Sequence, residues 1–410
     1  MRTAYKVRAY PTPEQAAVLT RTFGCVRLVW NKVLTWRQAR YHTEGRKTSY
    51  AQTDRYLTEL KRDAEHGFLY EVSSVPLQQV LRHQYAAFVN FFAGRARYPR
   101  FKSRSGKQSA TYTRSAFRWR DGRLHLGKMD GPLEFVWSWP HIDPVAINPT
   151  TVTVSRDPDG RWYVSIAADT RSDDSTRGDG EQFPPPLHAV GVDMGVKDFV
   201  VTSDGDRIAN PRFLERKARS LARYQRRMAR KQRGSNNRAK AKTKIARAHR
   251  KVRNARADFL HRTSTRLVRD NDVIVIEDLA VKNMIRNRSL AKAISDCGWG
   301  EFRRMLEYKA ARYGRHLIAV DRWYPSTKTC SGCGYVLEEL SLSTRHWTCP
   351  GCRSRHDRDI NAAKNILAAG LAVSACEGGV RHAGSSGVQP PVKQEAQRAT
   401  AGIPVLRHRE

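Results

Sequence analysis

Four cysteines in the C-terminal third place the tightest limit on what this chain can become. Cys330, Cys333, Cys349 and Cys352 follow a C-x2-C-x15-C-x2-C pattern. Two C-x2-C knuckles at this separation supply four thiolates to one tetrahedral zinc ion, and so predict a small module closed around it. Four thiolates leave no open coordination position, which makes the expected zinc a structural staple. Asp359 stands seven residues beyond Cys352, in the run His356-Asp357-Arg358-Asp359-Ile360-Asn361. A metal module set against a carboxylate reads as a knob inserted into a catalytic domain. Cys25, Cys297 and Cys376 stand singly. In a reducing compartment they are expected to be inert thiols, without a disulfide framework.

Charge points to the partner. The 410 residues contain 74 Lys and Arg against 39 Asp and Glu, a formal net charge of +35. An excess of that size implies a large polyanion, in preference to a merely basic enzyme. The opening MRTAYKVRAY has no apolar signal core. No window reaches the roughly 18–20 apolar residues of a membrane span. A cytoplasmic, nucleoid-associated protein without a membrane partner is expected.

Periodicity divides the chain. Residues 2–10 alternate as a short strand, and Thr12 and Pro13 open a helix as N-cap and first helical residue. Helical patterns continue to about residue 92 and are clearest over 76–92. There Leu77, Val80, Leu81, Tyr85, Phe88 and Phe92 share one face, opposite Gln79, Arg82, His83 and Asn90. A basic stretch laced with aromatics fills 95–104. Strand patterns occupy about 109–168, with Asp159-Gly160 as a hairpin turn. Residues 169–187, ending in three prolines, read as a linker and domain boundary.

Beyond the linker come apolar strands at 189–193 and 199–202. Residues 212–257 form a helical hairpin in which Arg and Lys dominate and Glu215 is the single acid. A buried strand at 273–278, a helix near 299–313 and a strand at 317–320 precede the zinc module. Trp299, Phe302, Leu306 and Tyr313 are expected to pack that helix, with base stacking as the lesser alternative. A helix over about 360–369 follows the module, and residues 371–410 are expected to be disordered.

Three carboxylates sit where element ends would expose them. Asp193 ends one apolar strand, with Gly195 close behind to admit a phosphate or backbone. Glu277 ends another, and Asp359 stands at a helix start. A carboxylate at the end of a buried strand is costly unless it faces a cleft or a cation. Three converging acids in a basic chain suit two Mg²⁺ ions, which activate a water and stabilise the leaving oxygen of a phosphodiester. Taken singly, each acid also reads as a cap or a surface ion pair. Asp278 could replace Glu277, and Asp357 could replace Asp359. Asp198, Asp272 and Asp321 are further candidates, and Asp359 itself fits a helix N-cap.

Four segments together carry a resemblance. They are Gly191-Val192-Asp193-Met194-Gly195, Val275-Ile276-Glu277-Asp278-Leu279, Cys330-Ser331-Gly332-Cys333-Gly334 and Asp357-Arg358-Asp359-Ile360-Asn361-Ala362-Ala363. The set resembles the TnpB (OrfB) family of transposon-associated, RNA-guided DNA endonucleases, relatives of type V CRISPR effectors. Pro76-Leu77-Gln78-Gln79 and Tyr98-Pro99-Arg100-Phe101-Lys102-Ser103 add to it, and it spans about residues 1–370.

The resemblance implies an α/β chain. Residues 188–370 would be a RuvC-like, RNase H-type nuclease domain with a zinc ribbon inserted at 327–356. Residues 1–10 and 105–180 would form a β-barrel wedge domain carrying an inserted helical recognition domain, 11–104. Asp193, Glu277 and Asp359 become the catalytic triad and the ligands of two Mg²⁺. Asp359 is preferred to Asp357 because the family's acid directly precedes x-Asn. Cys330, Cys333, Cys349 and Cys352 hold one structural Zn²⁺. The implied partners are a guide RNA and target DNA, as duplex and as displaced single strand, with base pairing supplying specificity beside a short protein-read motif.

Like charges at i and i+4 destabilise a free helix, so the one-sided charge of 212–257 points to a bound phosphate backbone. Arg223, Arg226, Arg227 and Arg230 are the candidates there. Arg100 and Lys102 are candidates in the basic stretch. Gln79 and Arg82 could read bases, with an ordinary solvent face as the plain alternative. Two other classes share these features. An RNA-guided repressor without cleavage would need a broken triad. A strand-transfer transposase would use the same acids without RNA.

Overall fold

A computed structural model describes residues 2–140, 142–169, 188–341 and 343–378. Most of the expected linker and the expected disorder of 379–410 lie outside the described residues, as does the side chain of Cys376.

In the N-terminal half, strand β1 (Arg2–Ala9) leads into helix α1 (Pro13–Glu44). Thr12 and Gln15 form a reciprocal capping box at its start, with Gln15 N–H 3.3 Å from Thr12 Oγ1. Ser49 and Gln52 cap α2 (Tyr50–Arg62) in the same way, and α3 (Ser74–Phe92) follows. Then come β2 (Gln108–Thr113), β3 (Phe117–Arg120), β4 (Arg123–Leu126), β5 (Phe135–Val136), β6 (Pro149–Arg156) and β7 (Trp162–Asp169). The main sheet is antiparallel in the order β2-β6-β7-β1-β5, and β3 pairs only with β4.

Among the described residues, strand pairing leaves β2 and β5 as edges. Strand β5 is two residues long between Pro132 and Pro140, too short to carry the ladder round. The helices also share one apolar core with the sheet, where Leu19, Phe23, Leu77 and Leu81 meet Val7, Val152 and Ile166. The apolar face of α3 is buried only at its first half. Tyr85 and Phe92 are exposed, and Phe88 and Phe91 instead meet Tyr98 edge-on.

In the C-terminal half, β8 (Ala189–Asp193), β9 (Asp198–Thr202) and β10 (Arg207–Ala209) form an antiparallel meander. Helices α4 (Phe213–Ala229) and α5 (Asn236–Asp270) make the basic hairpin. Helix α5 runs thirteen residues past the expected end because Leu260, Leu267 and Val268 continue its buried stripe into the core. Strand β11 (Val273–Glu277), short helices α6 (Val281–Met284) and α7 (Ala291–Cys297), helix α8 (Trp299–Tyr313) and β12 (His316–Val320) follow. The sheet order is β10-β9-β8-β11-β12, with β11 parallel to both β8 and β12. The cysteine module carries the hairpin β13 (His346–Thr348) and β14 (Arg355–Asp357), and α9 (Arg358–Gly378) completes the fold. Helix α9 outruns the expected 360–369 and takes in the first residues of the expected tail. Its continuation, Gly370-Leu371-Ala372-Val373, holds no proline or other strong breaker beyond Gly370 itself.

This sheet is buried on both faces, which explains its unbroken apolar strands. Val190, Val192, Ile274 and Ile276 pack with Phe302 and Leu306 of α8 and Leu260 of α5 on one face. Trp299 is buried with them and Tyr313 packs against them, so Trp299, Phe302, Leu306 and Tyr313 pack the helix as expected, while Tyr308 is exposed. Val275 faces Ile366 and Leu367 of α9 on the other side. Helix α9 approaches closely because Gly191, paired with Val275 in the sheet, has no side chain. A Cβ there would lie 2.0 Å from the Ala363 carbonyl oxygen. The fit is reciprocal, since a Cβ on Gly370 would lie 2.3 Å from Val275. Helix α5 also reaches the N-terminal half, where Arg250 and Arg253 pair with Asp159 and Asp157 in the β6–β7 turn.

Candidate active site and zinc module

Parallel pairing of β8 with β11 matches Val192 to Ile276, so Asp193 and Glu277 leave the sheet side by side. Helix α9 brings Asp359 to the same end. Burial pushes the Asp193 carboxyl up to about 7, with the charges of Glu277 and then Asp359 adding to the effect. The three acids therefore sense one another across a partly dry site.

The competing acids are occupied elsewhere. Asp278 pairs with Arg303 and Arg322, which hold its carboxyl below the usual carboxylate range. Asp357 is the true cap of α9, accepting from the N–H groups of Asp359 and Ile360, each at 3.1 Å. This corrects the N-cap reading of Asp359 and frees that side chain for the site. Asp272 pairs with Arg315 at 2.7 Å, and Asp321 accepts from Trp323 N–H at 2.8 Å. Asp198 pairs with Arg207 at 2.9 Å. At Gly195 it is backbone that approaches: a Cβ there would lie 2.8 Å from the Asp198 carbonyl oxygen, so the glycine permits the tight β8–β9 connection.

Several residues at the site escaped the sequence reading. The Ser326 hydroxyl donates to Glu277 Oε1 at 2.5 Å. Arg207 lies 2.6 Å from Asp357 and 3.6 Å from Asp359, and Arg345 lies 3.5 Å from Asp359. The buried Asn361 and Asn365 of α9 donate to the Thr329 carbonyl at 2.7 and 2.6 Å. Asn365 also donates to the Ser326 carbonyl, and Asn361 accepts from Ser331 N–H. Their i, i+4 spacing was a readable signal of a shared face. Nothing local marked Ser326 or Arg207.

The fit to metal differs between the two sites. The four cysteine sulfurs lie within 4.8 Å of one another, with Cys330–Cys352 and Cys333–Cys349 each at 3.6 Å. Zn–S bonds of about 2.3 Å in a tetrahedron separate sulfurs by about 3.8 Å, so the residues present fit one zinc ion. The module is built from two matching turns. Gly334 (φ 76°) and Arg353 (φ 60°) take the left-handed conformation directly after Cys333 and Cys352. Their N–H groups bond back to the carbonyls of Cys330 and Cys349, each at 2.9 Å. His356 Nε2 lies 3.1 Å from Cys330 Sγ, placed to support a thiolate from outside the ligand set.

The three acids do not close to that mutual spacing. Among the described residues only the four cysteines and Asp63–Glu65–His66 do so. The latter trio is a local cap, with Asp63 accepting from Glu65 N–H and touching His66 Nδ1. Acids that share two cations need not all meet within one ligand sphere, since the two ions are about 3.5–4 Å apart. The chemistry of three oxygen-donor carboxylates, one of them pushed up by burial and by its acidic neighbours, fits hard divalent ions.

Serine at Cys349 or removal of zinc by a chelator is expected to unfold the module. On the order of 10 kcal/mol of zinc-binding free energy couples to folding in such sites. Release of Asn361 and Asn365 should then lower the melting temperature. An unchanged melting curve on chelation would show that no zinc is held.

The expected nucleic-acid contacts are placed unevenly. Arg223, Arg226, Arg227 and Arg230 are all exposed on α4. Arg82 is exposed with its guanidinium 5.7 Å from the Tyr50 ring centre, Gln79 is half-buried, and Arg100 is exposed. Lys102 is turned inward, its Nζ 4.1 Å from the Trp30 ring centre, and burial lowers its pKa. Among the described residues no helix is long and apolar enough to cross a membrane.

Comparison with known proteins extends across the chain. Residues 160–288 match the OrfB_IS605 family, described as "Probable transposase", and residues 299–366 match a "Cas12f1-like, TNB domain". Residues 1–47 match a "Helix-turn-helix domain", although here they fold as β1 and the single long helix α1. A Streptomyces pristinaespiralis protein named "Putative RNA-guided DNA endonuclease" is 53% identical over 98% of this chain and 98% of its own. "Putative RNA-guided DNA endonuclease InsQ" of Escherichia coli is 35% identical over 91% of this chain and 93% of its own. A solved Cas12f1–sgRNA–target DNA complex aligns at 14% identity with a TM-score of 0.35, over 90% of this chain and 99% of that one.

Proposed function

Because the chain belongs to the TnpB (OrfB) family, we propose that it is an RNA-guided DNA endonuclease of transposon origin. A guide RNA and target DNA are its partners, and it acts on DNA in the cell interior. Cleavage occurs at Asp193, Glu277 and Asp359. The observation that carries the site is their joint placement: the charges of Glu277 and Asp359 both act on the buried Asp193 carboxyl, while Asp278 is held by Arg303 and Arg322 and Asp357 caps α9. The sheet of three antiparallel strands followed by two parallel ones, with α9 across one face, supports an RNase H-type reading of residues 188–370. The ribbon at 327–356 is its insert.

The three acids would hold two Mg²⁺ ions, which supply an activated water and a stabilised leaving oxygen for in-line phosphodiester cleavage. The chain itself provides the orientation. Ser326 fixes the Glu277 carboxylate. Arg207 and Arg345 steady Asp359. The zinc module, tied to α9 through Asn361 and Asn365, sets where that helix starts. The exposed arginines of α4 offer an electrostatic track for a phosphate backbone.

The test uses the protein co-purified with RNA from its own transposon end and a plasmid library randomised beside a matched target. Mg²⁺-dependent cutting next to a short motif is expected. Cutting that persists without RNA would favour a strand-transfer transposase instead, and cutting that survives Asp193→Ala would remove the acids from the chemistry.

A further inference from the structure

Trp323 is 84% exposed, the most exposed large apolar side chain among the described residues. Its backbone is nonetheless tightly held. Asp321 Oδ1 accepts from its N–H at 2.8 Å, and Tyr324 N–H closes the turn onto the Asp321 carbonyl at 3.1 Å. The turn is pinned to the acid site from both sides. Upstream, Asp278 N–H bonds the Val320 carbonyl at 3.0 Å, and Arg322 pairs with the Asp278 carboxylate. Downstream, the buried Ser326 bonds Glu277 and is itself bonded by Asn365. Tyr324, the next residue, packs inward against Val275 and Ile366. An indole exposed on a turn whose backbone is fixed, three residues before the Ser326 that bonds Glu277, has the makings of a stacking platform. Bases stack on such rings whatever their sequence.

We propose that Trp323 stacks on an unpaired base of the DNA strand delivered to Asp193, Glu277 and Asp359, and so sets the strand's approach to the acids. The inference rests on the nuclease reading above and adds a positioning residue to it.

The test has two arms. In the first, the RNA-bound Asp193→Ala protein, which cannot cut, is mixed in magnesium-free buffer with single-stranded DNA carrying 5-iododeoxyuridine, then irradiated. A crosslink mapped to Trp323 and lost in Trp323→Ala is expected. Crosslinking of Trp323 to iodouridine placed in the guide RNA, with none to DNA, would overturn the assignment, as would no crosslink at this residue. In the second arm, Trp323→Ala is expected to slow target cleavage roughly ten- to a hundredfold. Trp323→Phe should restore most of it, with melting temperatures unchanged. Cleavage at the parent rate in Trp323→Ala overturns the inference while leaving the nuclease reading intact. A parent protein that never cuts defeats that reading alone, because the crosslink still decides the role of Trp323.

Discussion

Asp193→Asn is expected to abolish cleavage and, at the same time, to stabilise the metal-free protein. In the folded chain the Asp193 carboxyl titrates near 7, against an ordinary value of 3.8. Between those two pH values the folded state keeps a proton that the unfolded state has lost. Stability therefore falls as pH rises from about 4 to about 7 and is flat above. Asparagine carries no such proton, so the variant escapes the penalty at pH 8 and gains nothing at pH 4. The gain at pH 8 should be on the order of 1–3 kcal/mol after allowance for solvent screening. Thermal melts in magnesium-free buffer, with the zinc left in place, measure it at the two pH values. Added Mg²⁺ should stabilise the parent protein but not the variant. Cleavage should drop roughly a thousandfold or more. A variant no more stable than its parent at pH 8 would mean that Asp193 is not under electrostatic pressure.

Gly191→Ala should be nearly as damaging, although residue 191 lies under α9 and brings no side chain to the acids. The added carbon would sit 2.0 Å from a backbone oxygen of α9 and 2.8 Å from Leu367, so no side-chain rotation relieves it. Helix α9 must lift from the sheet, at a cost of about 3 kcal/mol or more. Asp359, Asn361 and Asn365 would move with it. Denaturant unfolding should show the loss of stability, and cleavage should fall with it. Gly24→Ala is the control: nothing lies within 4 Å of its Cβ position on α1, and the helix should gain slightly. Equal stability of Gly191→Ala and the parent would show that α9 does not press on β8 as described.

The two substitutions also mark how far the sequence could be read. The strands of the second sheet were legible because both faces are buried and their apolar runs are uninterrupted. The cysteine spacing was legible because zinc imposes its own geometry. The acids could be named, but what separates Glu277 from Asp278 lies in long-range partners, and what separates Asp359 from Asp357 lies in the cap at the folded helix start. Asp278 is claimed by Arg303 and Arg322, far away in sequence, and Asp357 by the first turn of α9. Ser326 and Arg207 had no local signature, since their importance comes from what the tertiary fold sets beside them. The extra length of α5 was hidden because its composition changes after residue 257 while its apolar periodicity does not. Strand patterns report alternation, not whether the last edge of a sheet meets the first.

The contact between α9 and the sheet has a consequence in time as well as in space. Ribosomes deliver Asp193 and Glu277 long before Asp359. Until α9 emerges, the apolar face around Val275 has nothing to cover it. A prematurely released chain would therefore lack its third acid and present a bare, adhesive sheet to the cell's proteases. Dependence on α9 thus works as a fail-safe: the three acids come together only once that helix has been made and has docked.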